Sequence, residues 1–185
     1  MQEIVSEYIR EEIEMLKNLD KKKILEIYFC IERAYKNGGR VYLLGNGGSC
    51  ANASHWVNDL KKNIQNTSNG FDIISLTDNV PLLTAYANDV AYTNAFLEQI
   101  INRIREVDVM IALSVSGSSE NLVEAFRYGH QNKCQTISII ANYEGKLKQY
   151  SDITLTLKTK NYGIAEDAQQ TINHILVQLF NPANR

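Results

Sequence analysis

Apolar residues in the first 37 positions recur at helical spacing, with Ile4, Val5, Tyr8, Ile9, Ile13, Met15 and Leu16 forming one stripe and Ile24, Leu25, Tyr28, Ile31 and Ala34 a second. Asn18 to Lys21 interrupts the pattern, and Asn37-Gly38-Gly39 closes it. Two helices are expected. The leading one cannot bury its stripe alone, so it must pack on the body of the domain or on a second copy of the chain.

From position 38 the period changes. Val41 to Leu44, Asp72 to Leu76, Val109 to Ser114, Thr136 to Ile140 and Ile153 to Leu157 are short apolar or β-branched runs and read as buried strands. Helical stretches fall near 49–63, 91–105 and 119–131. A closing helix runs from about Ala165 to Phe180, with Ile172, Ile175, Leu176 and Leu179 facing inward and Pro182 past its end. This alternation predicts an α/β fold whose parallel sheet is covered by helices on both faces. The expected organisation is one domain over 1–185, with a helical region at 1–37 and an α/β body at 38–185. Ligands are expected where strand carboxyl ends turn into helices.

The 185 residues, 44% hydrophobic and 22% charged, are enough for one globular domain with a substantial core. A formal net charge of −2 offers neither nucleic acid nor an anionic membrane a broad basic surface. No apolar run approaches the roughly 18 residues needed to span a bilayer. Three scattered cysteines, Cys30, Cys50 and Cys134, fit reduced thiols, so a cytoplasmic location is expected.

Two turns carry candidate chemistry. Gly45-Asn46-Gly47-Gly48-Ser49 joins the first strand to a helix, where backbone amides and the positive helix end can meet an anion; a tight turn capped by Ser49 is the plainer reading. Ser114-Val115-Ser116-Gly117-Ser118-Ser119-Glu120-Asn121 ends the third strand in a hydroxyl-rich, uncharged cradle suited to a phosphate monoester. With no Walker lysine, the pair favours a small phosphorylated metabolite over nucleotide hydrolysis. His55 and Asp59, four apart, share a helix face and could form half of a metal site or a surface pair. Glu166, Gln170 and His174 lie at i+4 intervals along the closing helix, as a site or a solvated edge. His130 and Trp56 read as surface and core respectively.

Taken in order, Gly45-Asn46-Gly47-Gly48-Ser49, Ala53-Ser54-His55-Trp56, Thr84-Ala85-Tyr86-Ala87-Asn88-Asp89, Ser114-x-Ser116-Gly117-x-Ser119-x-Asn121 and Glu166 with His174 resemble the sugar isomerase (SIS) domains of the bacterial phosphoheptose isomerase type across essentially the whole chain. The resemblance implies a three-layer α/β/α sandwich on a five-stranded parallel sheet, assembled as a homotetramer through its N-terminal helices, with active sites shared between subunits. It implies interconversion of sedoheptulose 7-phosphate and D-glycero-D-manno-heptose 7-phosphate, supplying heptose to bacterial surface glycans such as lipopolysaccharide or capsule. Carried across residue by residue, Ser114, Val115, Ser116 and Ser119 would hold the phosphate, and Asn46, Gly47, Gly48, Ser49, Asn88, Asp89, Asp59 and Glu166 would line the sugar. His55, Asp59, Glu166 and His174 would bind zinc, one ion per subunit. Asp59 would abstract the proton and His174 would act as general acid.

Several positions depart from that family's pattern. Asp59 stands where Glu is usual, Glu166 where many members have Gln, Asn52 where Asp is common, Val115 where a hydroxyl is common, and Lys61-Lys62-Asn63 where Arg is often found. Two Asp/Glu ligands would neutralise a zinc ion formally, binding it more firmly and weakening it as a Lewis acid. Phosphate recognition would then draw on Lys61 or Lys62. These differences leave two alternatives open: a non-catalytic binding module of the replication-initiator-associating type, and an isomerase of another sugar phosphate.

Overall fold

The computed structural model describes residues 1–63 and 71–181. Five parallel strands, β1 (Val41–Gly45), β2 (Ile73–Ser75), β3 (Val109–Ser114), β4 (Gln135–Ala141) and β5 (Ile153–Leu157), lie in the order β2-β1-β3-β4-β5. β1, β3 and nearly all of β4 are buried at every position because helices cover both faces, which is why they read as unbroken apolar runs. The edge strand β5 alternates buried with partly exposed residues.

One face packs against α1 (Gln2–Lys17), α2 (Lys21–Lys36), α3 (Gly48–Asn63) and α7 (Tyr162–Phe180), around Ile27, Ile31, Trp56, Leu60 and Ile172. The other packs against α6 (Glu120–Gln131) and the segment that precedes β3, around Tyr42, Phe96, Ile100, Met110 and Phe126. Asp20 caps α2 by accepting the Lys22 and Lys23 amides, and Asn161 caps α7 by accepting from Gly163, which is why the closing helix starts three residues before Ala165. Pro182 lies outside the described residues.

The helix expected near 91–105 is not present as one element. Helical structure begins earlier, with α4 (Val80–Tyr86) and a π turn (Ala87–Ala91), and the expected segment itself holds only a 3-10 turn (Tyr92–Asn94) and the short α5 (Leu97–Ile100). Asn79 caps α4 by accepting the Leu82 amide, and Pro81 sits in its first turn. Asn102, with φ of 58°, ends the helical run, and Asp108 folds the return by accepting the Arg40 and Arg105 amides.

Helix α1 buries only Met15, leaving Ile4, Val5, Ile9 and Ile13 at 73, 60, 51 and 47% exposure; Leu25 and Phe29 of α2 are also exposed. The helix is nonetheless fixed to the body, since Tyr8 donates to Asp167 on α7 at 2.6 Å. That bond, with the nearby acids, pushes the Tyr8 phenol up to about 12. No helix among the described residues is long and apolar enough to cross a membrane.

Candidate active site

The sheet order reverses between β1 and β3, so the crevice beyond their carboxyl ends is the topological switch point where open α/β sheets take ligands. Both candidate turns open there. The first runs from β1 into α3, whose initial turn includes Ser49; that residue is buried within the helix and is not its cap. Glu166 of α7 lies over this turn so closely that a Cβ placed on Gly48 would fall 2.2 Å from its carboxylate oxygen. Only glycine leaves room for Glu166.

In the second turn Ser114 Oγ accepts the Gly117 amide at 3.0 Å and Ser116 Oγ accepts the Ser118 amide at 3.2 Å, so these hydroxyls shape the loop and keep their own O–H to donate. Gly117, at φ 65°, packs against Gly145, where side chains would collide. Ser119 is the N-cap residue of α6, with no side-chain cap bond. The Val115 side chain lies in the core and its carbonyl accepts from Ala141, leaving at most its amide for a ligand.

The two turns are tied together. Asn46 and Asn121 exchange side-chain amide bonds at 2.9 and 3.0 Å, and the Tyr92 hydroxyl donates to Asn46 Oδ1 at 2.9 Å. Tyr92 directly follows the π turn that carries the exposed Asn88 and Asp89, where Asn88 donates to Asp89 at 2.8 Å. Three segments that could surround a sugar are thus joined through one amide. The sequence reading gave Tyr92 and Asn121 no role; only their nearness to the Asn88-Asp89 and serine motifs pointed to them.

A second constellation lies further along α3 and α7. Asp59 Oδ2 is 3.2 Å from His55 Nε2 and 3.5 Å from His174 Nε2, and the two imidazoles stand edge to face with centroids 5.7 Å apart. Ligand atoms from these three residues all lie within 4.8 Å of one another. Asp59 is largely covered while both histidines are about half exposed or more, so the cluster faces outward. Two imidazoles and a carboxylate are a donor set that suits zinc with an open position.

Glu166 does not join this cluster within the chain. It precedes His174 by two helical turns, about 12 Å of rise, and its carboxylate rests against Gly48. Likewise, Asp59 lies 11 positions after Gly48 on α3, about 16 Å down the helix. The glycine turn with Glu166 and the linked serine turn thus form one group, and His55, Asp59 and His174 form a separate one further along α3 and α7.

The SIS domain family matches residues 6–141, and the chain belongs to that family. Among relatives, the phosphoheptose isomerase of Clostridium acetobutylicum is 30% identical over 184 residues, covering 97% of this chain and 94% of the relative. That of Geotalea daltonii is 31% identical over 157 residues, covering 85% and 82%. In fold, the phosphoheptose isomerase of Neisseria gonorrhoeae superposes with a TM-score of 0.88 at 23% identity, covering 97% of both chains.

Proposed function

We propose that the protein is an aldose-ketose isomerase that interconverts sedoheptulose 7-phosphate and D-glycero-D-manno-heptose 7-phosphate. The observation that carries this reading is the Asp59 carboxylate set between His55 and His174. Moving a proton between C1 and C2 through an enediol needs a base over the carbons and an acid at the carbonyl oxygen. Asp59 takes the proton, and His174 serves the oxygens and assists ring opening. Ser114, Ser116 and Ser119 hold the phosphate with their hydroxyls and the start of α6. Asn46, whose carbonyl is already occupied, offers the sugar an N–H, while Asn88, Asp89 and Glu166 accept from sugar hydroxyls.

An extended heptose 7-phosphate spans roughly 10 Å from C1 to phosphorus at about 1.5 Å per bond, less than the ~16 Å of α3 between the first turn and Asp59. On this reading the two half-sites that serve one substrate come from different copies of the chain, with Glu166 on the sugar-turn side. The exposed stripe of Ile4, Val5, Ile9 and Ile13 supplies apolar surface for that assembly, which we take to be a homotetramer. A zinc ion held by His55 and His174 together with Asp59, or with Glu166 of a neighbouring copy, would supply polarisation of the substrate carbonyl, and Asp59 would serve as base only where it is not itself tightly coordinated.

A non-catalytic binding module has no physical need for a carboxylate between two imidazoles, and this favours the enzyme. Incubating the purified protein with sedoheptulose 7-phosphate, with and without zinc, and following aldose formation tests the reading. Turnover is expected. Its absence in both conditions would leave a sugar-phosphate binding module.

A further inference from the structure

Asn173 is fully buried on α7, among Ile172, Leu176 and Ala168. Its Nδ2 donates to Asp59 Oδ2 at 2.7 Å. Its Oδ1 has no hydrogen-bond partner among the described residues. The opposite amide orientation would bring two oxygens to that distance, so the N–H must face the carboxylate. A buried carbonyl without a partner disfavours folding, and an apolar side chain here would carry no such penalty. What the amide supplies instead is a fixed donor to the same oxygen that both histidines approach.

The other Asp59 oxygen, Oδ1, accepts from Asn58 at 3.0 Å. Each oxygen thus has a protein donor, and the carboxylate plane is held against rotation. We propose that Asn173 is a positioning residue that sets the orientation of the Asp59 carboxylate for proton transfer, an inference that rests on the isomerase reading above. Misplacement of a reacting group by about 1 Å can lower a rate about a hundredfold. Among the described residues the side-chain hydrogen bond of Asn173 runs to Asp59 and to neither turn, so its removal is expected to act on the chemical step and not on substrate capture.

The test compares wild type with Asn173→Leu, which fills the site without polar atoms, and with the smaller Asn173→Ala should leucine not fit. The readouts are kcat and KM for sedoheptulose 7-phosphate and the thermal midpoint. In Asn173→Leu, kcat should fall by about 10- to 100-fold, with KM changed by less than about twofold and Tm equal to or above wild type. Loss of activity with no loss of stability separates positioning from simple support of the fold. Unchanged kcat in a folded variant, or a kcat loss matched by a large fall in Tm, would overturn the inference while the isomerase reading stands. An inert wild type would overturn both.

Discussion

Asn46 and Asn121, 75 positions apart in sequence, bind each other through both amide groups across the switch point of the sheet. The pair fixes the glycine turn to the serine turn, so the spacing between the proposed sugar and phosphate contacts is set before a ligand arrives.

Breaking that pair should loosen substrate binding. In Asn121→Ala the Asn46 side chain loses its reciprocal partner and keeps only Tyr92. KM for the sugar phosphate should rise about tenfold and stability should fall by about 1–2 kcal/mol, the cost of unpairing a buried amide. Steady-state kinetics and urea unfolding measure both. A double-mutant cycle with Asn46→Ala should show strong coupling, since the two residues act as one unit.

Asp59→Glu should impair the enzyme. The Asp59 oxygen already sits at 2.7 Å from Asn173 and within 3.5 Å of both imidazoles, leaving no gap for a longer side chain to close. One added methylene moves the carboxylate by about 1.5 Å, and a loss of about a hundredfold in kcat follows. A gain in kcat would show that the pocket suits the longer acid.

Gly48→Ala should separate function from stability. The new methyl meets only the end of the Glu166 side chain, which can swing away, and alanine suits a helical first turn better than glycine. Unfolding should be unchanged or shifted to higher denaturant. KM should rise severalfold as Glu166 leaves the sugar turn, and Glu166→Ala should reproduce that rise.

Ile9→Glu places a charge in the middle of the exposed α1 stripe. Light scattering should show smaller species, and activity should be lost with assembly under the proposed sharing of the site between copies. A dissociated variant with full turnover would place the entire site within one chain.

Much of this was legible in the sequence because local pattern and burial agree. β1, β3 and β4 are covered on both faces, so their apolar runs needed no tertiary information. His55 and Asp59 share a face by spacing alone, and their meeting with His174 was implied by the family resemblance. The helix expected near 91–105 was misread because a 3-10 turn and the left-handed Asn102 break a stretch whose composition suits a helix. Glu166 was grouped with His174 by the family resemblance, and the two turns of rise that separate them within the chain were not read from the stripe they share. Asn173 escaped notice because a single amide between Ile172 and His174 has no periodicity, and its value comes only from Asp59 on another helix. Sharing of the site between subunits was implied only by the family resemblance, because the order of motifs does not encode assembly.

Proton exchange into the sugar tests the role of Asp59 and His174 most directly. With sedoheptulose 7-phosphate in D2O, wild type should incorporate deuterium at the isomerised carbons, seen by NMR. Asp59→Asn should reduce that exchange by about 100-fold or more, the scale of a lost general base. Wild-type exchange that persists undiminished in Asp59→Asn, or no exchange by wild type at all, would contradict proton transfer by this carboxylate.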